Sequence, residues 1–169
     1  MLNKIIWSQF GATIDMLANA LRACPEDLWR SPITLDDPEP EYSAFWYVAY
    51  HAIFWLDLYL SGAVAGFVPP PFTLEELDPA GLLPDRVYTR EELQAYLAHG
   101  RAKCQAVVQA MTDEKAQQLC PFPWGTLSFA ELLLYNMRHV QEHASQLNLF
   151  LGQQTNAVPG WITVAKSGQ

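Results

Sequence analysis

Of the four histidines, His51, His99, His139 and His143, two stand at a spacing that carries chemistry. His139 and His143 are four residues apart in a segment that reads as helix, so their rings leave one face a single turn apart. Two imidazoles placed in this way can share one metal ion. His51 joins them by position. It lies near the midpoint of a helix predicted over about 44–60, and the pair lies near the midpoint of one predicted over about 129–151. Helices of one bundle place their midpoints at similar heights whichever way each runs, so the three rings are expected to be level.

An imidazole in apolar surroundings needs partners for both its N–H and its lone pair. Two readings satisfy the three rings. In one, a divalent cation binds all of them; in the other, each bonds a Tyr, an Asn or a carbonyl, with Tyr47, Tyr50, Tyr135 and Asn136 available. The run His139-Val140-Gln141-Glu142-His143 also spells the H-x-x-E-H pattern of one peptidase class. That class takes a further acidic ligand well downstream, and residues 144–169 contain neither Asp nor Glu. A peptidase is therefore not supported. Glu142 should point away from the rings, about 100° round the helix from its neighbour His143, and is not assigned as a base. His99, between Ala98 and Gly100 with Arg101 and Lys103 nearby, reads as a solvated histidine.

The elements that must position these residues are helical. Trp7, Phe10, Ile14, Leu17, Leu21 and Cys24 recur in steps of three and four, a stripe that Pro25 closes. Residues 25–42 carry prolines and the acids Asp36, Asp37, Glu39 and Glu41, and read as a loop. Ser43 is the expected cap of the second helix, whose residues 44–60 include one formal charge, Asp57. A helix apolar all round must be enclosed by others.

A 28-residue join, Ser61 to Tyr88, follows, with a short helical turn expected over Thr73 to Leu77. Its length permits a crossover, so helices two and three can run parallel. Thr89 with Glu92, and Ser128 with Glu131, are capping boxes opening helices three and four. Gly100 on the apolar stripe of helix three predicts close approach of another backbone, and Gly152 marks the expected end of helix four. Pro159 and Trp161 are the expected anchors of the tail, and no strand pattern is evident. The expectation is an all-α, four-helix bundle in one domain over 1–169.

Composition narrows the function. Charged residues are 17% of the chain and hydrophobic ones 50%, against a usual charged share of about 25%, which excludes a disordered chain. The net charge of −8 offers no basic face for nucleic acid or for an anionic membrane. Cys24, Cys104 and Cys120 form neither a disulfide framework nor a C-x-x-C pair, which fits a reducing, cytoplasmic setting. Residues 44–60 are at the short limit for a membrane span and contain His51 and Asp57, so they read as a buried helix.

The stretch Ala49-Tyr50-His51-Ala52, with Trp55-Leu56-Asp57 and Tyr59-Leu60 after it, resembles the DinB-like family of metalloenzymes (also called DinB/YfiT-like). So does Arg138-His139-Val140-Gln141-Glu142-His143-Ala144-Ser145-Gln146-Leu147-Asn148. Tyr88-Thr89-Arg90-Glu91-Glu92-Leu93 and Pro159-Gly160-Trp161 add looser support. The resemblance implies an up-down-down-up bundle, with the long join between helices two and three as the crossover. It implies a divalent metal, nickel or zinc foremost and iron after them, on His51, His139 and His143. It also implies a homodimer acting on a small-molecule substrate, with no DNA binding despite the family's name.

Characterised relatives in the family include bacillithiol-using S-transferases and a mycothiol-dependent isomerase. The resemblance therefore implies a metal-activated thiol or water, with a low-molecular-weight thiol as cosubstrate. Tyr47 and Asn136, each within a turn of a ligand, are candidate supports for the rings. The alternatives are a non-catalytic metal- or ligand-binding module related to stress, and a structural dimer whose histidines fill the core. Cys24 and Cys104 read as core residues, and Cys120 as a loop residue open to solvent.

Overall fold

Helix α1 (Leu2–Ala23) realises the apolar stripe, with Phe10, Ile14, Leu17 and Leu21 fully buried. The computed structural model describes residues 2–34, 38–69 and 75–166. Asp36 and Asp37 of the acidic loop, and Thr73 of the expected helical turn, lie outside those residues. Pro25 opens a short 3-10 turn, Glu26–Leu28, just past the end of α1.

Helix α2 (Phe45–Ser61) is buried at every position except His51, Trp55 and Ser61. Its cap differs from expectation: Ala44 is the capping residue, while the Ser43 hydroxyl donates to the Pro40 carbonyl. Ser43 is drawn back into the preceding turn and cannot reach the first helical amides. The helix stops at Gly62, whose φ of 77° suits glycine. A side chain there would also meet Cys120 Sγ and the Phe129 ring at 3.3 Å.

Both capping boxes form, Thr89 with Glu92 at the start of α3 (Arg90–Gln109) and Ser128 with Glu131 at the start of α5 (Phe129–Thr155). Gly100 does face a close neighbour, but it is the Leu56 side chain, not a backbone: its Cδ2 lies 3.1 Å from where a Cβ would sit. Gly152 does not end α5. The helix continues to Thr155 and closes at Asn156 in the left-handed region, φ 55°. Val158 folds back against Gly152, 2.5 Å from the Cβ position, so that glycine serves packing.

Between α3 and α5 lie a five-residue helix, α4 (Asp113–Gln117), and a hairpin the sequence pattern did not reveal. Strands β1 (Leu119–Phe122) and β2 (Gly125–Ser128) pair antiparallel around a Pro123-Trp124 turn. Alternation along β1 points Cys120 and Phe122 inward. Cys120 is therefore buried, not solvent-facing, like Cys24 and Cys104. Burial raises the Cys24 and Cys104 thiols to about 12 and the Cys120 thiol above its usual value.

Helix α1 packs on α3 and α5, and α2 packs on the same two. Two buried ion pairs pin the contacts. Asp15 of α1 takes Arg101 of α3 at 2.8 Å, and Asp57 of α2 takes the Lys103 ammonium and the Tyr96 hydroxyl of α3. Of the expected tail anchors, Trp161 is 71% exposed and Pro159 half-buried; Val158 on Gly152, Ile162 against the core and two bonds from backbone N–H groups hold the tail instead. Ala165 N–H donates to the Ser8 carbonyl and Lys166 N–H to Asp15, across the gap Gly11 leaves. No helix among the described residues is long and apolar enough to cross a membrane.

The Asp57 cluster gives a direct stability test. Asp57→Ala should leave Lys103 only the main-chain carbonyl of residue 57 and the Ser61 hydroxyl, and remove the carboxylate to which Tyr96 donates, costing on the order of 2 kcal/mol. The loss is read from the urea midpoint of the metal-free protein.

Candidate metal centre

The three histidines predicted to be level do converge. Nε2 of His139 lies 3.3 Å from Nε2 of His51 and 3.1 Å from Nε2 of His143. One ligand atom from each residue lies within 4.8 Å of the others. The helical spacing of four on α5 sets the His139 and His143 rings edge to face at 4.5 Å, and α2 delivers His51 from across the interface.

The outer nitrogens fix the tautomers of two rings. His51 Nδ1 is 2.8 Å from a carboxylate oxygen of Glu76, and His143 Nδ1 is 2.8 Å from the amide oxygen of Gln146. Both acceptors require an N–H, so both imidazoles carry the proton on Nδ1 and present a lone pair at Nε2. His139 Nδ1 is buried with no hydrogen-bond partner among the described residues.

Imidazole nitrogens gathered this closely form a donor set for a cation. Tetrahedral zinc with Zn–N about 2.0–2.1 Å holds its nitrogens roughly 3.3 Å apart. The His139 distances to His51 and His143 fit that, and the three histidines could hold a divalent metal. Burial, then repulsion from His143 and His51, lowers the His139 pKa to about 3; burial and His51 lower that of His143. Both rings are thus neutral and competent to bind at physiological pH.

Of the supporting residues expected from sequence, Tyr47 is in place, its ring 6.5 Å from that of His51. Burial, and then the nearby Glu76 carboxylate, push the pKa of its phenol up. Asn136 is not a ring partner: it donates to the Leu56 carbonyl at 3.0 Å and ties α5 to α2. Glu142 is exposed and outside the histidine group, as its angular position predicts. It lines, with His139, Arg138 and Trp161, a cavity of about 570 Å³ between α1 and α5. His99 is half-exposed and remote from the triad, with Nε2 3.8 Å from Asp57.

Besides Gln146, two features were missed. Glu76 sits on a 3-10 turn (Glu75–Leu77) of the long join, its side chain 4% exposed, and also accepts from Trp55 Nε1 at 2.9 Å. Burial works to raise its pKa, but the neighbouring His51, Tyr47 and Trp55 prevail and hold it below the usual value. The only signal for it was its place in the predicted helical turn. The second feature is the hairpin, whose Trp124 stacks on Tyr135 at 4.8 Å and Phe122 at 5.4 Å. Tyr59 completes this aromatic group, packing its ring 6.2 Å from His139.

Neutral buried imidazoles make the metal-free fold acid-sensitive. His139 is folded with a pKa near 3 against about 6.5 unfolded, so its contribution is complete above about pH 6.5 and is lost as pH falls towards 3. Between pH 7 and 4.5 the metal-free wild type should lose about 2 kcal/mol more than His139→Gln. Urea melts at the two pH values check this.

The family model described as the DinB superfamily matches residues 9–147, which include His51, His139 and His143. Among curated proteins none matches significantly. A match over most of the chain, with the three histidines of the resemblance gathered at one point, establishes that this protein belongs to the DinB superfamily.

Proposed function

We propose that the protein is a metal-dependent enzyme, binding one divalent ion, nickel or zinc before iron, on His51, His139 and His143. It would activate a thiol or water for S-transfer to, or hydrolysis of, a small molecule. The observation that carries this reading is the meeting of three Nε2 atoms, two with lone pairs fixed inward by Glu76 and Gln146. Three protein ligands leave a position for an exogenous group, the pattern of catalytic more than structural sites.

The bundle is read as up-down-down-up. Tyr88, just before α3, packs on Tyr50 near the start of α2, while Lys103 reaches Ser61 at its end, which supports α2 parallel to α3. Asp15 bonds Arg101 while Asn3 bonds Met111, which supports α1 antiparallel to α3. Tyr59 meets Tyr135 while His51 meets His143, which supports α2 antiparallel to α5.

A bound divalent ion supplies Lewis acidity, bringing a coordinated thiol or water towards deprotonation near neutral pH. The chain supplies the surroundings. Burial, and then Tyr135, push the Tyr59 phenol well above its usual pKa, so it stays protonated beside His139 and is not a base. Tyr59, Trp124 and Tyr135 form an apolar wall that limits water on that side. Glu76 is held by His51 and Trp55 and is not a free base. That last point favours a second reading, a metal- or ligand-binding module without turnover.

Elemental mass spectrometry on untagged protein purified without chelator tests the reading, beside a His51→Ala control. The expected result is near-stoichiometric metal in the wild type and none in the control, with thiol-dependent turnover in a screen of electrophiles. Free metal at about a thousand times its Kd should add about 4 kcal/mol to stability. Full activity without metal would overturn the mechanism, and tight ligand binding without turnover would favour the module.

A further inference from the structure

Among the described residues three carboxylates are almost fully buried, and their charges are balanced differently. Asp15 faces Arg101, and Asp57 faces Lys103. Glu76, with its side chain 4% exposed, has no lysine or arginine within ion-pair distance among the described residues. Its Oε2 accepts from His51 Nδ1 and Trp55 Nε1, while its Oε1 is buried with no hydrogen-bond partner among the described residues. A buried anion without a cation is costly, and donors alone do not cancel its charge. The nearest place for a compensating charge is across the His51 ring, where the three Nε2 atoms meet.

We propose that Glu76 is the positioning residue of the metal centre: a buried carboxylate that orients His51 and supplies the anionic charge through which a divalent cation is retained. The proposal rests on the three-histidine reading and adds to it a residue from the long join, outside the helices that provide the ligands. The bond from His51 Nδ1 to Glu76 fixes the ring plane and the tautomer, and raises the basicity of Nε2. Trp55, one turn further along α2, holds the same oxygen and so fixes the carboxylate to the helix that carries the ligand. With neutral imidazoles, the net charge of centre plus Glu76 falls from +2 to +1, which offsets the cost of burying both ions.

The test compares wild type with Glu76→Gln, which keeps size and an acceptor oxygen but removes the charge, and with Glu76→Ala, which removes both. Metal-free proteins are titrated with zinc against a competing chelator, and cobalt(II)-loaded proteins are examined by visible absorption. The expected result is zinc affinity down roughly tenfold in Glu76→Gln and by up to about 100-fold in Glu76→Ala. The cobalt spectrum should change in both. Asp57→Asn serves as a buried-carboxylate control and should bind zinc as the wild type does, whatever its melting temperature. Zinc affinities within twofold of wild type in both Glu76 variants would overturn the proposal, as would a loss of metal-free stability with unchanged affinity. A wild type that takes up neither metal would instead remove the three-histidine reading, and the proposal with it.

Discussion

A helix enclosed on nearly every side has to settle its polar groups within the protein, and α2 carries two of consequence, His51 and Asp57. Asp57 is satisfied from α3 by Lys103 and Tyr96. His51 is satisfied from two other directions, by Glu76 on the join and by the imidazole pair of α5. Where these partners fall is set by one buried contact, Asn136 Nδ2 to the carbonyl of Leu56. The two helices pass in opposite senses, so moving back five residues on α2 corresponds to moving on about five on α5 at an equal rise per residue. From Leu56 and Asn136, that step arrives at His51 on one helix and midway between His139 and His143 on the other. The register that buries an asparagine at the interface is thus the register that closes the triad.

Much of this was legible because it depends on short-range spacing. The i, i+4 histidines, the apolar steps of α1 and both capping boxes are properties of a single turn or two, and each formed where its residues stand. Glu76 was not legible as a site residue, because its value depends on how a 28-residue join folds back over α2. Gln146 could have been found, being three residues after His143 and within reach of its outer nitrogen on the same helix. The hairpin escaped notice because four-residue strands are too short to show alternation, and Pro121 and Gly125 argue against strand locally. Cys120 was misplaced for the same reason. Gly152 and Gly100 were read as backbone signals when each makes room for one side chain, Val158 and Leu56.

Charge also separates what holds the fold from what prepares the site. The pairs Asp15–Arg101 and Asp57–Lys103 are complete within the chain and join α1 and α2 to α3. Helix α5 brings no such partner to α2; it brings an amide and two imidazoles. The α2–α3 contact is therefore complete in charge, whereas part of the α2–α5 contact consists of three imidazole nitrogens gathered at one point. A cation at that point would cross-link the two helices through their imidazoles, so metal retention and stability of the α2–α5 contact should be linked.

The three imidazoles are not equivalent in how they are held, and the difference assigns a purpose to the hairpin. His51 is fixed by an anion and His143 by a neutral amide oxygen, while the outer nitrogen of His139 has neither. A ring without a hydrogen bond at Nδ1 must be oriented by packing, and the Tyr59 ring stands nearly perpendicular to it at 83°. Tyr59 is in turn held by Tyr135, Phe122 and Trp124, two of which come from the hairpin strand and its turn. The hairpin thereby does through aromatic contacts what Glu76 and Gln146 do through hydrogen bonds. Packing restrains a ring less sharply than a directional bond, so in the proposed metal centre His139 would be the ligand with most freedom to tilt as the geometry changes.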